Sequence, residues 1–511
     1  MSLSKKFLFN LKKIDEVVTS PKGKKVLIVD RQRFSSVIKN YCAIKILEKR
    51  NLLDIDVLTD LDKNSEISKL YNQLGFKSLI KTFNLRYLFF SPLIVFKTFL
   101  HFFNYFIFFF TKNFYEFIYN YSVSKIKVGD LIYDRYIRND YSFLKPSVFD
   151  LKLIRIFLYT VFKVYWIEKL IHKKKINLIF VNTHIYSNNY SIAYKLAIKN
   201  KINIIYLKDF QITYFKKGLV NKETDPRAIT KKKLKNLSLS SKEKTFIKKY
   251  MKQRISGKLP HFDVKNAFGS KKNNLNKLLY KKKIDLNDYK KKILLASHSL
   301  SDANHFHFQL GSNSPFRDYY TQIIETLNFA TKNNEILFFV RPHPSSTFWK
   351  EDGIIGNIVD NYNCRNIVLL DNSINTDEAI NNSDTVITVY GTIGLETASY
   401  YKKKPILAGN SIYSSLGFSL DSNSKEEYFN HILSDKKKYK LNKTEQENAD
   451  KAFYYYFLKF NQEYKSTIAS QIRNLSQEKY CDNFKKFLNN SSLNEDLYFK
   501  NLEKILNKIK I

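Results

Sequence analysis

Short apolar runs closed by polar or glycine-bearing turns, each followed by a stretch of helical period, recur along this chain. KKVLIVD, ending at Asp30, is the first, and a helical pattern from about Phe34 to Lys49 follows it. DIDVLT at 54–59 and another helical stretch repeat the unit, so the opening reads as parallel α/β. INLIFVNTH (176–184), the helical NNYSIAYKLAIKNK and the strand INIIYL give it again. In the second half KKILLA, EILFFV, NIVLL, DTVITV and PILAG are successive apolar runs separated by helix-length segments. Strands that do not alternate are those of a sheet covered on both faces, so this half reads as doubly wound.

Three stretches break the rhythm. Between about Phe76 and Lys145 the chain is dense in aromatics, as in YLFFSPLIVFKTFLHFFNYFIFFFTKNFYEFIYNY. A spanning helix needs about 20 apolar residues with few charges, and Lys97, His101, Asn104 and Lys112 interrupt this run. A helical insertion at about 76–150 is expected, lying on a bilayer surface or packed inside its domain. After it, KVGDLIYDRYIR (127–138) predicts a turn at Gly129 and a strand around Leu131 to Tyr133, then a long helix from about Phe149 to Lys173. From Lys216 to Lys292 the chain is Lys-rich and weakly patterned, and past about Lys425 it is helical and charged. The division expected is therefore an N-terminal Rossmann-like domain over 1–215, a Lys-rich linker of short helices over 216–290, a C-terminal Rossmann-like domain over 291–425 and a helical tail over 426–511.

Composition changes this picture little. The formal net charge is +39, which by itself points to nucleic acid or anionic lipid. Lysine nevertheless outnumbers arginine and is spread throughout, beside abundant Asn, Ile, Phe and Tyr, as A/T-rich codons produce. The charge runs lack interleaved aromatics and read as solvated faces rather than nucleic-acid contacts. Cys42, Cys364 and Cys481 stand far apart, without the close pairing of a structural zinc site or a disulfide framework. The N-terminus has basic residues but no apolar run with a small-residue cleavage site, so a cytoplasmic address is expected, with peripheral contact at the inner membrane face left to the aromatic insertion.

The chemistry gathers where strands end. RPHP (Arg341 to Pro344) follows EILFFV, and its prolines present Arg341 and His343 together, a pair suited to a phosphate. Ser345 and Ser346 are candidates to cap the next helix. YGTIGLE (390–396) follows DTVITV: Gly391 and Gly394 permit close backbone approach, Thr392 and the following amides can receive phosphate oxygens, and Glu396 can accept from the two hydroxyls of a ribose. HSLSDANHFHF places His298, Asp302, His305 and His307 after a third strand, as candidates for acid, base or acceptor binding. His305 and His307 are too close in sequence for one-turn helical metal ligation, so no metal is expected. Ser314-Pro315 predicts the start of a helix from about Phe316. His184 and Tyr186 sit at another strand's carboxyl end, where ligands collect in open parallel sheets; a hydrogen-bonded structural histidine is the alternative for His184.

SHSLSDANH, VRPHP and VYGTIGLETASYYKKKPILAGNSIYSSLGF together resemble capsule polysaccharide biosynthesis proteins, glycosyltransferase-like chains of GT-B architecture. KVGDLIYDRYIR and NTHIYSNNYSIAYKLA are similar to that family's N-terminal half, so the resemblance runs from about 25 to 430. It implies two Rossmann-like domains facing a cleft, a nucleotide-sugar donor held mainly by the C-terminal one, and a glycan or lipid-linked glycan acceptor held by the other. His343 would then meet the donor phosphate, Thr392 assist it and Glu396 hold the ribose, with Asp302 and His184 as candidate bases. The nucleotide-sugar is a substrate, and neither metal nor cofactor is implied. One departure is KKKP (Lys402 to Pro405), where the family's helix closes on a small residue and glycine. Competing readings are a sugar-nucleotide 2-epimerase, transfer of a polyol phosphate from a CDP-linked donor, and a non-catalytic adaptor for polyanions or membrane.

Overall fold

The computed structural model describes residues 15–62, 64–81, 91–138, 147–183, 189–208, 211–219, 229–259, 262–269, 274–304, 314–370, 372–459, 466–469 and 477–509. They form two compact units, one of Met1–Tyr136, Phe143–Pro226 and Asn461–Ile511, the other of Ile137–Ser142 and Arg227–Phe460.

The first unit is built on β1 (Lys24–Val29), β2 (Leu53–Thr59), β3 (Ser78–Lys81), β4 (Leu178–Val181), β5 (Asn203–Lys208) and β6 (Gln211–Phe215), in the order β3-β2-β1-β4-β5-β6. All neighbours are parallel except β5 and β6, a hairpin at the edge. Val26 to Val29 are fully buried between β2 and β4, which is why the central strand reads as an unbroken apolar run. The helix Phe34–Glu48 is buried along nearly its whole length. The charged tail accounts for this, because Tyr480, Phe484, Tyr498 and Leu502, on the helices Gln477–Asn490 and Leu497–Leu506, share its core. Part of the tail is thus integral to the N-terminal unit.

One predicted strand is a helix. Residues 122–127 form a small hairpin, and Gly129–Ile137 follows as a helix in which Leu131, Ile132, Tyr133, Tyr136 and Ile137 are all buried. Pairs four apart, 132 with 136 and 133 with 137, are the helical spacing; a half-buried strand alternates instead. Gly129 is there for proximity rather than for a turn, since a Cβ on it would lie 2.0 Å from the Phe117 carbonyl oxygen. The aromatic insertion holds the helix Pro92–Thr111, which rests on the long helix Leu151–Lys173.

The second unit repeats the plan with β7 (Lys291–Ala296), β8 (Ile336–Arg341), β9 (Ile367–Leu369), β10 (Thr385–Thr388), β11 (Ile406–Leu407) and β12 (Leu420–Asp421). Their order is β9-β8-β7-β10-β11-β12, parallel throughout. The strand order reverses at β7, the arrangement of a Rossmann-like sheet with a crevice at its carboxyl edge. Each unit is therefore the doubly wound α/β domain that the sequence predicts. From Arg227 on, the Lys-rich stretch belongs to this second unit: its helices Lys231–Lys235 and Ser241–Ile255 place Leu234, Ile247 and Met251 in one core with Leu395, Tyr413 and Phe453. Its lysines face outward and hide an amphipathic pattern. Residues 426–459 stay with this unit too.

Candidate functional site

In a parallel sheet every strand delivers its following loop to the same edge. The loops after β7, β8 and β10, three adjacent strands, carry the motifs singled out in the sequence.

The loop after β7 is fixed by hydrogen bonds to its own backbone. Ser297 donates its N–H and its hydroxyl to the Arg341 carbonyl, at 3.0 and 2.9 Å, tying the ends of β7 and β8 together. Glu351, from the segment after RPHP, accepts from the N–H groups of Leu300 (2.9 Å) and Ser301 (3.1 Å) and from the Ser301 hydroxyl (3.0 Å). Asn304 donates to the Leu300 carbonyl and accepts from the Tyr319 N–H. The helix Tyr319–Ala330 is capped by Asp318, whose carboxylate accepts from the Thr321 N–H; Ser314-Pro315 lies upstream of that start, because the carboxylate four residues on is the better-placed acceptor.

On this frame the histidines of two loops meet. The His298 ring stacks on Tyr319 (centroids 4.8 Å, interplanar angle 10°) and lies 5.1 Å from the ring of His343. Asp302 Oδ2 is 3.9 Å from His298 Nδ1, and Asp302 Oδ1 is buried without a hydrogen-bond partner among the described residues. His343 Nδ1 accepts from the Ser345 N–H at 3.1 Å. An accepting Nδ1 carries no proton, so in the neutral ring the proton sits on Nε2 and His343 is a donor there. Ser345 and Ser346 do not cap a helix: a short 3-10 turn, Thr347–Trp349, comes first, and the helix Ile354–Asp360 starts at Gly353. Arg341, the last residue of β8, is buried and donates to the Ile374 carbonyl at 2.9 Å. It braces the edge from inside.

The loop after β10 makes a second cluster. The Glu396 side chain is only 2% exposed; its Oε1 is 2.7 Å from Nη2 of Arg254 and accepts from the Thr392 hydroxyl at 3.1 Å. Arg254, on the helix Ser241–Ile255, also lies over the rings of Phe457 and Phe268. A buried ion pair is no reservoir of stability, but removing one partner strands the other, at about 3–5 kcal/mol. Nothing in the sequence pairs these two residues. Gly391 gives its carbonyl to the Tyr413 hydroxyl at 2.8 Å, and a Cβ on Gly394 would fall 1.9 Å from that hydroxyl oxygen. The close approach at Gly394 is that of Tyr413. KKKP turns without glycine because Lys402 takes the left-handed conformation (φ 56°), while Lys403 Nζ binds the carbonyls of Ile380, Asn381 and Ser383.

Sequence reasoning did not find Glu351, Arg254 or Tyr413; each acts through a backbone group or a side chain distant in sequence. Nor did it find a polar cluster at the carboxyl edge of the first sheet. There Asp30 accepts from Thr59, Tyr71 and the Gln32 N–H, with its pKa raised to about 6 by burial against those hydrogen bonds. His184, Tyr186, His305 and His307 lie outside the described residues. Among those described, no three His, Cys, Asp or Glu side chains gather as metal ligands.

The second unit is thus a Rossmann-like domain with two polar clusters on its carboxyl edge. Residues 206–455 match the family described as Capsule polysaccharide biosynthesis protein. That stretch carries RPHP and YGTIGLE, and over it the chain is similar to that family. No curated protein matches the sequence. Among solved structures the chain is similar to the UDP-GlcNAc 2-epimerase from Methanocaldococcus jannaschii, with 11% identity, 84% of this chain and 97% of that one covered, and a TM-score of 0.27. It is also similar to the UDP-GlcNAc 2-epimerase from Neisseria meningitidis bound to UDP-GlcNAc (13% identity, 84% and 98% covered, TM-score 0.26). A third is a glycosyltransferase from Rickettsia africae ESF-5 (14% identity, 96% and 100% covered, TM-score 0.23). The fold assignment itself rests on the strand order of the two sheets.

Two predictions test this architecture. Gly394→Ala drives a methyl group into Tyr413, an overpacking of about 1–3 kcal/mol, and lowers the melting temperature by several degrees. Adding Tyr413→Phe, which deletes the clashing oxygen but leaves Cζ 2.8 Å away, restores part of that loss; two losses that simply add refute the contact. For Glu351, burial raises the pKa to about 7, against the lowering effect of its bonds to Leu300 and Ser301. Between the unfolded carboxyl's value and about 7 the folded state therefore binds more protons, and stability falls as pH rises through that window. Melting temperatures of wild type measured relative to Glu351→Gln decline from about pH 5 to about pH 8; a rise over that range reverses the assignment.

Proposed function

We propose that the chain is a glycosyltransferase that moves a sugar from a nucleotide-sugar donor to a growing surface polysaccharide, capsular or related, on the cytoplasmic side of the envelope. The observation that carries this reading is the convergence of His298, Asp302 and His343 from two loops on one carboxyl edge, inside the stretch that matches the capsule family.

Transfer breaks the bond between the sugar's anomeric carbon and a phosphate oxygen, so negative charge builds on the leaving phosphate. Donors held in place before the reaction stabilise it most. His343, with Nε2 as its donating nitrogen, and His298 beside it are such groups, and the Thr392 hydroxyl on the next loop becomes a third when its proton turns from Glu396 to the phosphate. Asp302, with a buried oxygen free of partners among the described residues, is the candidate to take the proton from the acceptor hydroxyl as the new bond forms. His184 is the other candidate base. Glu396 is assigned to the ribose, and its pairing with Arg254 and Thr392 fixes where that carboxylate stands. The acceptor in this reading is a glycan or lipid-linked glycan. Neither a cofactor nor a metal takes part, and nucleic acid is not a partner.

The test is a thermal-shift panel of CMP-, UDP-, GDP- and CDP-sugars on wild type and His343→Ala, followed by an assay with and without an oligosaccharide acceptor. One nucleotide class stabilises the wild type, His343→Ala loses most of that shift, and sugar leaves the nucleotide for the acceptor. No shift with any nucleotide removes the donor site. Epimerised nucleotide sugar in the absence of acceptor makes the enzyme an epimerase instead.

A further inference from the structure

The helix Pro92–Thr111 is apolar except along a flank that carries Lys97, His101 and Asn104, and only one side is used within its unit. Ile94 and Tyr105 are buried, the Tyr105 hydroxyl donates to the Val148 carbonyl at 2.9 Å, and the His101 ring is held between the hydroxyls of Tyr121 (2.8 Å) and Tyr165 (2.9 Å). Phe109 packs against Phe117, completing an inner stripe with helical spacing. The opposite stripe is Leu93, Phe96, Phe99, Phe103, Ile107 and Phe110, each between 50 and 78% exposed. Phe149 and Leu151, 69 and 80% exposed, extend this surface through the contact of Phe149 with Phe106. At 1.5 Å per residue the stripe is about 26 Å long. An apolar patch of that extent on a folded domain marks a surface that something covers.

Charge identifies the cover. No Asp or Glu occurs between Glu66 and Glu116 in the sequence, and the carboxylates at the rim are Glu116, beside Lys112, and Asp150, which accepts from the Tyr136 hydroxyl; Lys97 and Lys112 stand exposed on the margin and end of the stripe, and Arg155 is exposed on the helix beneath. Two copies meeting stripe to stripe about a two-fold axis would set these same cations against one another. A bilayer with anionic head groups receives the aromatics and attracts the lysines at once. The length also suits a spanning helix, but spanning requires the inner stripe to leave Tyr121, Tyr165 and Phe117. We propose that the face Leu93–Phe110 seats the first unit on the surface of an anionic membrane, the helix lying in the interface plane with its inner side still bound to the domain. This inference rests on the first unit alone and makes no use of the donor site.

The experiment is flotation of the purified full chain with vesicles of phosphatidylcholine, with and without phosphatidylglycerol. Wild type floats with the anionic vesicles more than with the neutral ones, and alkaline carbonate releases it. The combined change Phe96→Ser, Phe103→Ser, Ile107→Ser and Phe110→Ser removes apolar area from exposed positions only, so flotation drops at least about tenfold at an unchanged melting temperature. Should that variant unfold, Phe110→Ser alone and the pair Lys97→Glu with Lys112→Glu each still weaken flotation. The proposal is overturned if wild type does not float, if the variants float as wild type does, if the protein resists carbonate, or if wild type is a dimer that the serine changes turn into monomers. Donor binding in the thermal-shift panel is unaffected by these variants, so failure here and failure of the donor site are separately visible.

Discussion

The second unit depends on parallel pairing around β7. With β8 on one side and β10 on the other, the loops after all three strands leave at one edge, and no other feature of the chain would bring residues 298, 343 and 392 to it. Parallel strands need long connections, so those loops are far apart in sequence and owe their proximity to the sheet alone. That proximity places a loop to within a strand spacing. It does not orient a side chain.

Orientation comes from two buried carboxylates, which solve the problem in different ways. Glu351 binds backbone: two N–H groups and a hydroxyl of the loop after β7 converge on it. Burial nevertheless outweighs those bonds in its titration, as the raised pKa shows. Glu396 binds a cation, Arg254, contributed by a helix that precedes the sheet in sequence. An exposed ion pair is worth little, whereas this one is nearly sealed, so its value is positional: as long as Arg254 remains buried, Glu396 must remain with it, and Thr392 is held by the same oxygen. Glu351 supports the loop that carries His298 and Asp302, and Arg254 fixes Glu396 itself, the arrangement expected where side chains must be set before a ligand arrives.

Much of this was legible in the sequence, because apolar runs report burial and a strand buried on both faces announces itself. β1, β2, β4, β5 and the first five strands of the second sheet were visible for that reason, as was the convergence of His298 with His343. The residues 129–137 were misread because Leu131-Ile132-Tyr133 is a short apolar triplet, which periodicity alone cannot assign; the spacing to Tyr136 and Ile137 decides it. β3 and β6 are edge strands of mixed polarity, and β12 has two residues. The Lys-rich stretch looked like a linker because its long basic side chains mask the few buried positions, Leu234, Ile247 and Met251. Arg254, Glu351 and Tyr413 could not be seen at all. Their partners are a carboxylate, backbone amides and a backbone carbonyl, far away in sequence and set side by side only by the fold.

The charge of the chain shows how far a global quantity can mislead and where a local one informs. A net value of +39 says little when the lysines are scattered, since fields from charges more than about a Debye length apart are screened from one another at physiological salt. What can act is an imbalance confined to one surface. Around the helix Pro92–Thr111 the imbalance arises less from surplus lysine than from missing carboxylates, none of which interrupts the sequence from Glu66 to Glu116. Codon bias toward lysine adds cations everywhere and gives no reason for acids to vanish from one stretch. Their absence coincides with an outward stripe of phenylalanine that the domain leaves uncovered, and the two features call for the same neighbour.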